Sequence, residues 1–524
     1  MKKILLVIIV AASVFTACKK TDDLGVSRLF RPVVAGQLSA DSNTIVAAWQ
    51  KSTGATSYVF QISRDTFRTI DRTLSLDTNI AVVKNLLYNQ LYQLQVKAVA
   101  KDTVLNSRWS YLGEIKTLSS ILQVPATDDI TFNAVRVRWT TKGSPVNSIR
   151  IIKTADSSQV SVTTLTAADR TNEYKIIGGL TASTKYTIFL LSGTDVRGSV
   201  DFTTKPPIPG NIIDLTGITG RPTVLADTIP VIPSGSTILL KRGETYNIAS
   251  AVNLNKSLVF RSGPDLSVFT QAVIYFTSNF NFTAGATIDS IEFNDVYMYS
   301  DNYSSRYVFN TTGAATVGKL KFVNSKAEIF RGLVRLQSGA TTVSNFIINN
   351  CIMDSLSNYG VITVDNVTCK ADNISITNST FYKVEKVITS RQNSTSVLIE
   401  SCTFNEAPLG GGSNYYIDYS TSGTNTVTNG ITVNNCIFGI GKPNIGSAGS
   451  TSVRDVRTNA ATTINASNNY RTSDHLSSGN DFPNVTPYSR SSTQLWQNPT
   501  AGDFKIIDNL FPGRSNSGDP RWRL

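Results

Sequence analysis

The feature that leaves this chain the fewest options is a short turn sequence that returns six times along its second half. Its copies read Phe293-Asn294-Asp295, Val323-Asn324-Ser325, Asn349-Asn350-Cys351, Thr377-Asn378-Ser379, Glu400-Ser401-Cys402 and Asn434-Asn435-Cys436. The middle residues step by 30, 26, 28, 23 and 34. A propeller blade or a helical repeat needs longer or more regular units. Coils of a parallel β-helix, joined by loops of uneven length, accommodate the spread. Each coil has apolar strand faces that it cannot bury alone, so neighbouring coils must cover them. Asparagines stacked at one turn can bond along the column. Cys351, Cys402 and Cys436 share the next position and read as small inward-packed residues, because buried thiols behave as hydrophobes.

A second strand aligns within each coil: Val308-Phe309-Asn310, Val334-Arg335-Leu336, Ile362-Thr363-Val364-Asp365, Ile388-Thr389-Ser390-Arg391 and Ile417-Asp418-Tyr419. This register puts Arg335, Thr363, Thr389 and Asp418 in one column and Asp365 and Arg391 in another. A slip of one residue would reverse the faces. The region opens with Gly235-Ser236-Thr237-Ile238 and Gly243-Glu244-Thr245-Tyr246. That opening resembles the first coil of pectate-lyase-like right-handed parallel β-helix proteins.

Upstream, two stretches share a scheme of short alternating strands suited to a β-sandwich. Thr44-Ile45-Val46-Ala47-Ala48-Trp49 matches Val135-Arg136-Val137-Arg138-Trp139, and Leu86 to Tyr92 matches Leu180 to Tyr186, each six residues apart (92 − 86 and 186 − 180). These segments resemble a pair of fibronectin type III modules, which makes Trp49, Trp139, Tyr92 and Tyr186 core and corner residues. The expected fold is all-β, with a leader at 1–17, a tether at 18–30, sandwiches at 31–118 and 119–206, and a right-handed parallel β-helix with a C-terminal cap at 207–524.

Met1-Lys2-Lys3, the apolar run Ile4 to Phe15 and the small residues Thr16-Ala17 form a secretory signal. The run is too short to span a bilayer. Phe15-Thr16-Ala17-Cys18 resembles the lipobox of bacterial lipoproteins, which implies lipidation at Cys18 and a membrane anchor. Together with the closing sequence Gly513 to Arg523, the architecture resembles Bacteroidota surface lipoproteins linked to polysaccharide utilisation. That resemblance implies an outer-membrane lipoprotein at the cell surface, a polysaccharide partner and membership of a glycan-uptake complex.

The formal charge of +12 suits an anionic partner such as an acidic polysaccharide. Nucleic acid does not suit an exported chain. The single histidine, His475, excludes a multi-histidine metal site and leaves little room for a histidine triad. Three functions stay open. A binder of extended acidic polysaccharide needs Arg for carboxylates and aromatic rings for sugar faces; Arg335, Arg391, Asp418 and Tyr419 are the candidates, with Tyr303, Tyr307, Tyr359, Tyr415 and Tyr416 near strands or loops of the coils. A polysaccharide lyase needs a base, Arg335 or Arg391, and calcium held by carboxylates, with Asp365, Asp372 and Asp418 as candidates. The carboxylates come singly, without an Asp-x-Asp cluster, so non-catalytic binding is the favoured reading. The third is a structural adhesin or spacer. The anchor expectation is tested by Cys18→Ala: the protein should leave the membrane fraction, and unchanged retention with an unmodified N-terminal peptide mass would remove the idea.

Overall fold

The computed structural model describes residues 27–143, 145–419 and 424–524. The expected leader, Cys18 and most of the expected tether lie outside the described residues. Among those described, no helix is long and apolar enough to cross a membrane. The chain divides into two compact units between Pro207 and Ile208.

The first unit holds two antiparallel sandwiches. In one, Ser39–Asp41, Thr44–Ala48 and Ile80–Val83 face a four-stranded sheet of Arg72–Leu76, Ser57–Ser63, Leu91–Val99 and Ser110–Lys116. In the other, Val135–Arg138 pairs with Tyr174–Ile177, and the larger sheet is Gln159–Thr164, Ser148–Lys153, Lys185–Ser192 and Asp195–Thr203. Trp49 and Trp139 are buried in the two cores. The Tyr92 hydroxyl accepts from the Leu87 N–H (3.1 Å), and the Tyr186 hydroxyl accepts from the Thr181 N–H (2.8 Å). Both are tyrosine corners of the fibronectin type III kind, so the spacing of Leu and Tyr in the sequence marks real corners.

The second unit is a parallel β-helix. Ten parallel strands, from Asn211–Asp214 to Ile464–Ser467, make its first face. A sixteen-stranded parallel sheet supplies the other two. The second face runs from Thr245–Ile248 through the starts of Lys326–Leu336 and Ile352–Val364 to Val485–Pro487. The third runs from Val252–Leu254 through the ends of those two long strands to Arg454–Arg457. Side chains alternate in and out along each strand. Inward rings therefore stack coil on coil: Phe260 on Phe293 (4.8 Å), Phe293 on Phe322 (5.3 Å), Phe381 on Phe404 (5.0 Å) and Phe404 on Phe438 (5.3 Å).

The repeated turn joins the first face to the second. Its central residue is left-handed in each coil, at Asn324, Asn350, Asn378, Ser401, Asn435 and Asn468 (φ 51–56°). Asparagine tolerates this conformation better than other non-glycine residues. The amides bond along the column: Asn350 Nδ2 donates to Asn324 Oδ1 (2.8 Å) and Asn468 Nδ2 to Asn435 Oδ1 (2.7 Å). One register in the sequence alignment needs correction. Asn294 pairs with Val323, so Asp295 (φ 56°), not Asn294, is the counterpart of Asn324. Cys351, Cys402 and Cys436 follow the left-handed residue and are buried free thiols. Each sulfur lies on the carbonyl two residues back, as the Ser325 and Ser379 hydroxyls do in their coils.

Both ends are closed. At the start, Val224 and Leu225 of the short helix Val224–Thr228 enter the coil core. At the finish, Phe482 packs on Phe438 and Tyr416 of the coil core, while Trp496, Phe504 and Phe511 pack with Tyr382 and Ile437 on the outside of the second face. The last residues then run back over earlier coils: Gly518 N donates to Asn435 O (2.8 Å), Thr380 Oγ1 donates to Asp519 Oδ2 (2.7 Å) and Arg521 Nη2 to Asn350 Oδ1 (2.6 Å).

The turn column gives a stability prediction. Asn378→Gly removes its amide bond to Asn349 but suits the backbone. Asn378→Val adds the left-handed penalty of about 1–2 kcal/mol. Urea unfolding of the β-helix transition should show the valine variant weaker by about that difference; equal midpoints would contradict the assignment.

Candidate functional site

The third face carries the sequence candidates, and its register explains how. Phe309, Val334, Ile362, Ile388, Ile417 and Val456 point into the core. Their neighbours Asn310, Arg335, Thr363, Thr389, Asp418 and Arg457 are therefore outward, and they stand in one register column. Gln337, Asp365 and Arg391 follow two residues later on three successive coils.

Two sets of side chains of similar make-up lie along this face. In the first, Arg335 Nε donates to Asp365 Oδ2 (3.0 Å), its Nη2 bonds the same oxygen, and its Nη1 donates to Gln337 Oε1 (3.1 Å). Arg391 approaches the other Asp365 oxygen at 3.4 Å and keeps 57% of its side chain exposed. The Arg335 guanidinium lies 4.0 Å from the centre of the Tyr359 ring, and that of Arg331 lies 4.8 Å from it. In the second set, Arg457 grips Asp418 bidentately (2.7 and 2.6 Å). Its guanidinium lies 4.6 Å from the Tyr415 ring, and Arg454 donates to the Tyr415 hydroxyl (2.8 Å). The Asp418 hydrogen bonds, more than its charge, raise the Arg457 pKa above the usual arginine value. Arginine stacks on aromatic faces and forks carboxylates, so each set holds its guanidinium groups, apart from the exposed one of Arg391, in fixed positions. Five arginines against two aspartates leave three positive charges over (5 − 2).

Three sequence expectations change. Tyr419 is no stacking surface. Asp418 is outward, so its neighbour must turn inward; Tyr419 is 0% exposed and donates to Ser394 Oγ (2.7 Å). Tyr307, Tyr415 and Tyr416 are buried as well, which leaves Tyr359 and Tyr303 partly accessible. Tyr303 is bound to Glu385 (2.7 Å), and Lys442 lies over its ring. The proposed calcium ligands do not converge: Asp365 and Asp418 each face arginine, while Asp372 lies on the first face beside Lys370 (2.5 Å). Among the described residues no three His, Cys, Asp or Glu side chains gather. Arg331, Arg454 and Arg457 escaped the sequence reading. The aligned repeats stopped at Ile417-Asp418-Tyr419, and the next copy, Arg454-Asp455-Val456-Arg457, follows only after a long loop. Extending the turn column to Asn468 would have located it.

Residues 244–384 match a family model described as a domain of unknown function (DUF4957), and residues 397–522 match another, DUF5123. The first match contains Arg331, Arg335, Tyr359 and Asp365, and the second contains Tyr415, Asp418, Arg454 and Arg457. Among solved structures, the FN1–FN3 domains of chicken CNTN1 are 14% identical, covering 34% of this chain and 68% of that one, with a TM-score of 0.17. A two-domain fibronectin type III segment of chicken tenascin is 17% identical, covering 33% of this chain and 99% of that one, with a TM-score of 0.16. A search of curated proteins found no match.

Burial of Tyr419 is directly testable. Tyr419→Phe should lower β-helix stability by about 1 kcal/mol through the lost Ser394 bond and leave glycan retention unchanged. Weaker retention at equal stability would return Tyr419 to the surface.

Proposed function

We propose that this chain is a cell-surface lipoprotein whose β-helix binds an extended acidic polysaccharide along its third face without cleaving it. One observation carries the reading: a strip of five arginines, four of them braced by tyrosine rings, only partly neutralised by Asp365 and Asp418. Guanidinium groups bond carboxylates in a planar fork, and their fixed positions lower the ordering cost of binding. A chain of sugars lying along stacked coils meets the same kinds of group more than once. Cys18 supplies the anchor in the outer membrane, and in the sequence the two sandwiches come between it and the β-helix. A glycan-uptake complex at the cell surface is the setting in which such a binder works.

The lyase alternative receives less support, because Arg335 is engaged by Asp365 and the carboxylates it would lend to calcium are spread over two faces. A calcium-dependent rise in ultraviolet absorbance from unsaturated product would establish it nonetheless.

Affinity electrophoresis on pectin, with a neutral glucan as control, tests the binding reading. Arg391→Ala should weaken retention about three- to tenfold, the scale of one solvent-exposed hydrogen bond of about 0.7–1.4 kcal/mol. Retention should fall with added salt, since screening shortens to about 3 Å at 1 M. Asp365→Asn should strengthen retention by freeing Arg335 and Arg391 from a competing carboxylate. No retardation on any of a broad panel of acidic glycans would leave the adhesin or spacer role instead.

A further inference from the structure

One end of the arginine strip differs from the rest of it. Tyr307 is 4% exposed, yet among the described residues its hydroxyl has no hydrogen-bond partner of good geometry. The Oδ1 of Asn310, three residues on, is also buried and unpaired. Buried polar atoms are almost always bonded, and one left open needs an explanation. Around them stand cations. Arg331 and Arg335 both bear on the Tyr307 hydroxyl electrostatically, Arg335 also through a weak contact short of good hydrogen-bond geometry, and burial, the larger influence, raises its pKa and so keeps it a donor. Arg331 gives its Nε to Asn358 Oδ1 (3.1 Å), and no carboxylate partner of it occurs among the described residues. Arg335, by contrast, is committed to Asp365.

The backbone is shaped to admit this arrangement. Tyr307 pairs in register with Gly332, and Gly332 with Gly360. A side chain at Gly332 would strike the Tyr359 Cβ at 2.7 Å. With glycine there, the Tyr307 and Tyr359 rings, from coils on either side, meet edge to face at 5.7 Å. The result is a hydroxyl donor, a guanidinium without a carboxylate, an amide acceptor and a partly exposed ring within one short stretch.

Resting on the glycan-binding reading above, we propose that Arg331 and the Tyr307 hydroxyl form a carboxylate-recognition subsite for one uronate residue, with Asn310 Oδ1 accepting from a sugar hydroxyl. Arg331, not Arg335, then reads the acid group, and Arg391 contributes general attraction further along the strip.

The test uses the mature protein with polygalacturonate, alginate and hyaluronan, each beside its methyl-esterified form, and with dextran sulfate. Binding is measured by titration calorimetry. Wild type should prefer the free acid of at least one polymer over its ester about tenfold or more. Arg331→Gln should lose that preference, and Arg331→Lys should recover part of it. Tyr307→Phe should weaken free-acid binding several-fold without lowering the melting temperature, because it deletes an unpaired group. Arg391→Ala should weaken binding yet keep the acid-over-ester preference. An Arg331→Gln protein that still discriminates acid from ester, or a Tyr307→Phe protein that binds as wild type does, would overturn the subsite while the strip as a binding surface stands. Dextran sulfate bound as tightly as the preferred uronate polymer would overturn its carboxylate selectivity. Wild type binding none of the polymers would overturn both readings.

Discussion

Every coil of the β-helix gives its backbone N–H and C=O groups to the coils on either side, and this in-register pairing decides where each side chain stands. Parallel strands sit about 4.8 Å apart, so a residue meets its register partners in adjacent coils before anything else. Apolar partners become the phenylalanine stack; polar partners become outward columns. Register is strongly specified because a one-residue slip would send Phe309, Val334, Ile362 and Ile417 to solvent and bring Asn310, Arg335, Thr363 and Asp418 inward. The left-handed turn column pins the same register from another direction, since a shift would place side chains such as Val323 or Cys351 where asparagine now sits.

A stack of coils has two open ends, and unpaired edge groups there invite association with other chains. The short helix at Val224–Thr228 packs into the first and Phe482 into the last. The C-terminal residues do more. By running back to Asn435, Thr403, Thr380 and Asn350, they tie four coils together across a large separation in sequence. Asp519 makes that contact nearly dry. Desolvation raises its pKa, while Arg521 and the hydrogen bonds from the Arg521 N–H and the Thr380 hydroxyl oppose the rise. A polar clasp of this sort suits a tail that must settle on a finished surface, where the apolar interior is already filled by the coils.

Much of this was legible in the residues. Stacking leaves a periodic trace, so the turn asparagines, the buried cysteines and the column from Arg335 through Thr363 and Thr389 to Asp418 could be read without coordinates. So could the tyrosine corners, because a hydroxyl that must reach a fixed backbone group fixes a spacing. What could not be read depends on partners set by loop length. Asp295 replaces Asn294 because the first repeat is one residue shorter in structure than its letters suggest. Tyr419 looked available because tyrosine suits either surface or core, and only the facing of Asp418 decides. Arg457 reaches Asp418 across a 39-residue separation that no local pattern spans.

The pairing of Arg335 with Asp365 and of Arg457 with Asp418 bears on how an anionic chain would be held. A free arginine on a strand samples many rotamers and gives up that freedom on binding. One resting on a tyrosine ring and forked by a carboxylate has already lost it when the coils assemble. The same carboxylate competes for the guanidinium, so an arrangement of matched pairs alone would be rigid but nearly neutral. The third face avoids that outcome by unequal numbers. Arg331, Arg391 and Arg454 sit beside the locked pairs, and the aspartates set where the charge lies without cancelling it. Because each set is built from coils of one half of the β-helix, the spacing between them is fixed by the coil repeat. A ligand contacting both must be extended and stiff enough to follow that repeat, which is a stricter requirement than positive charge alone.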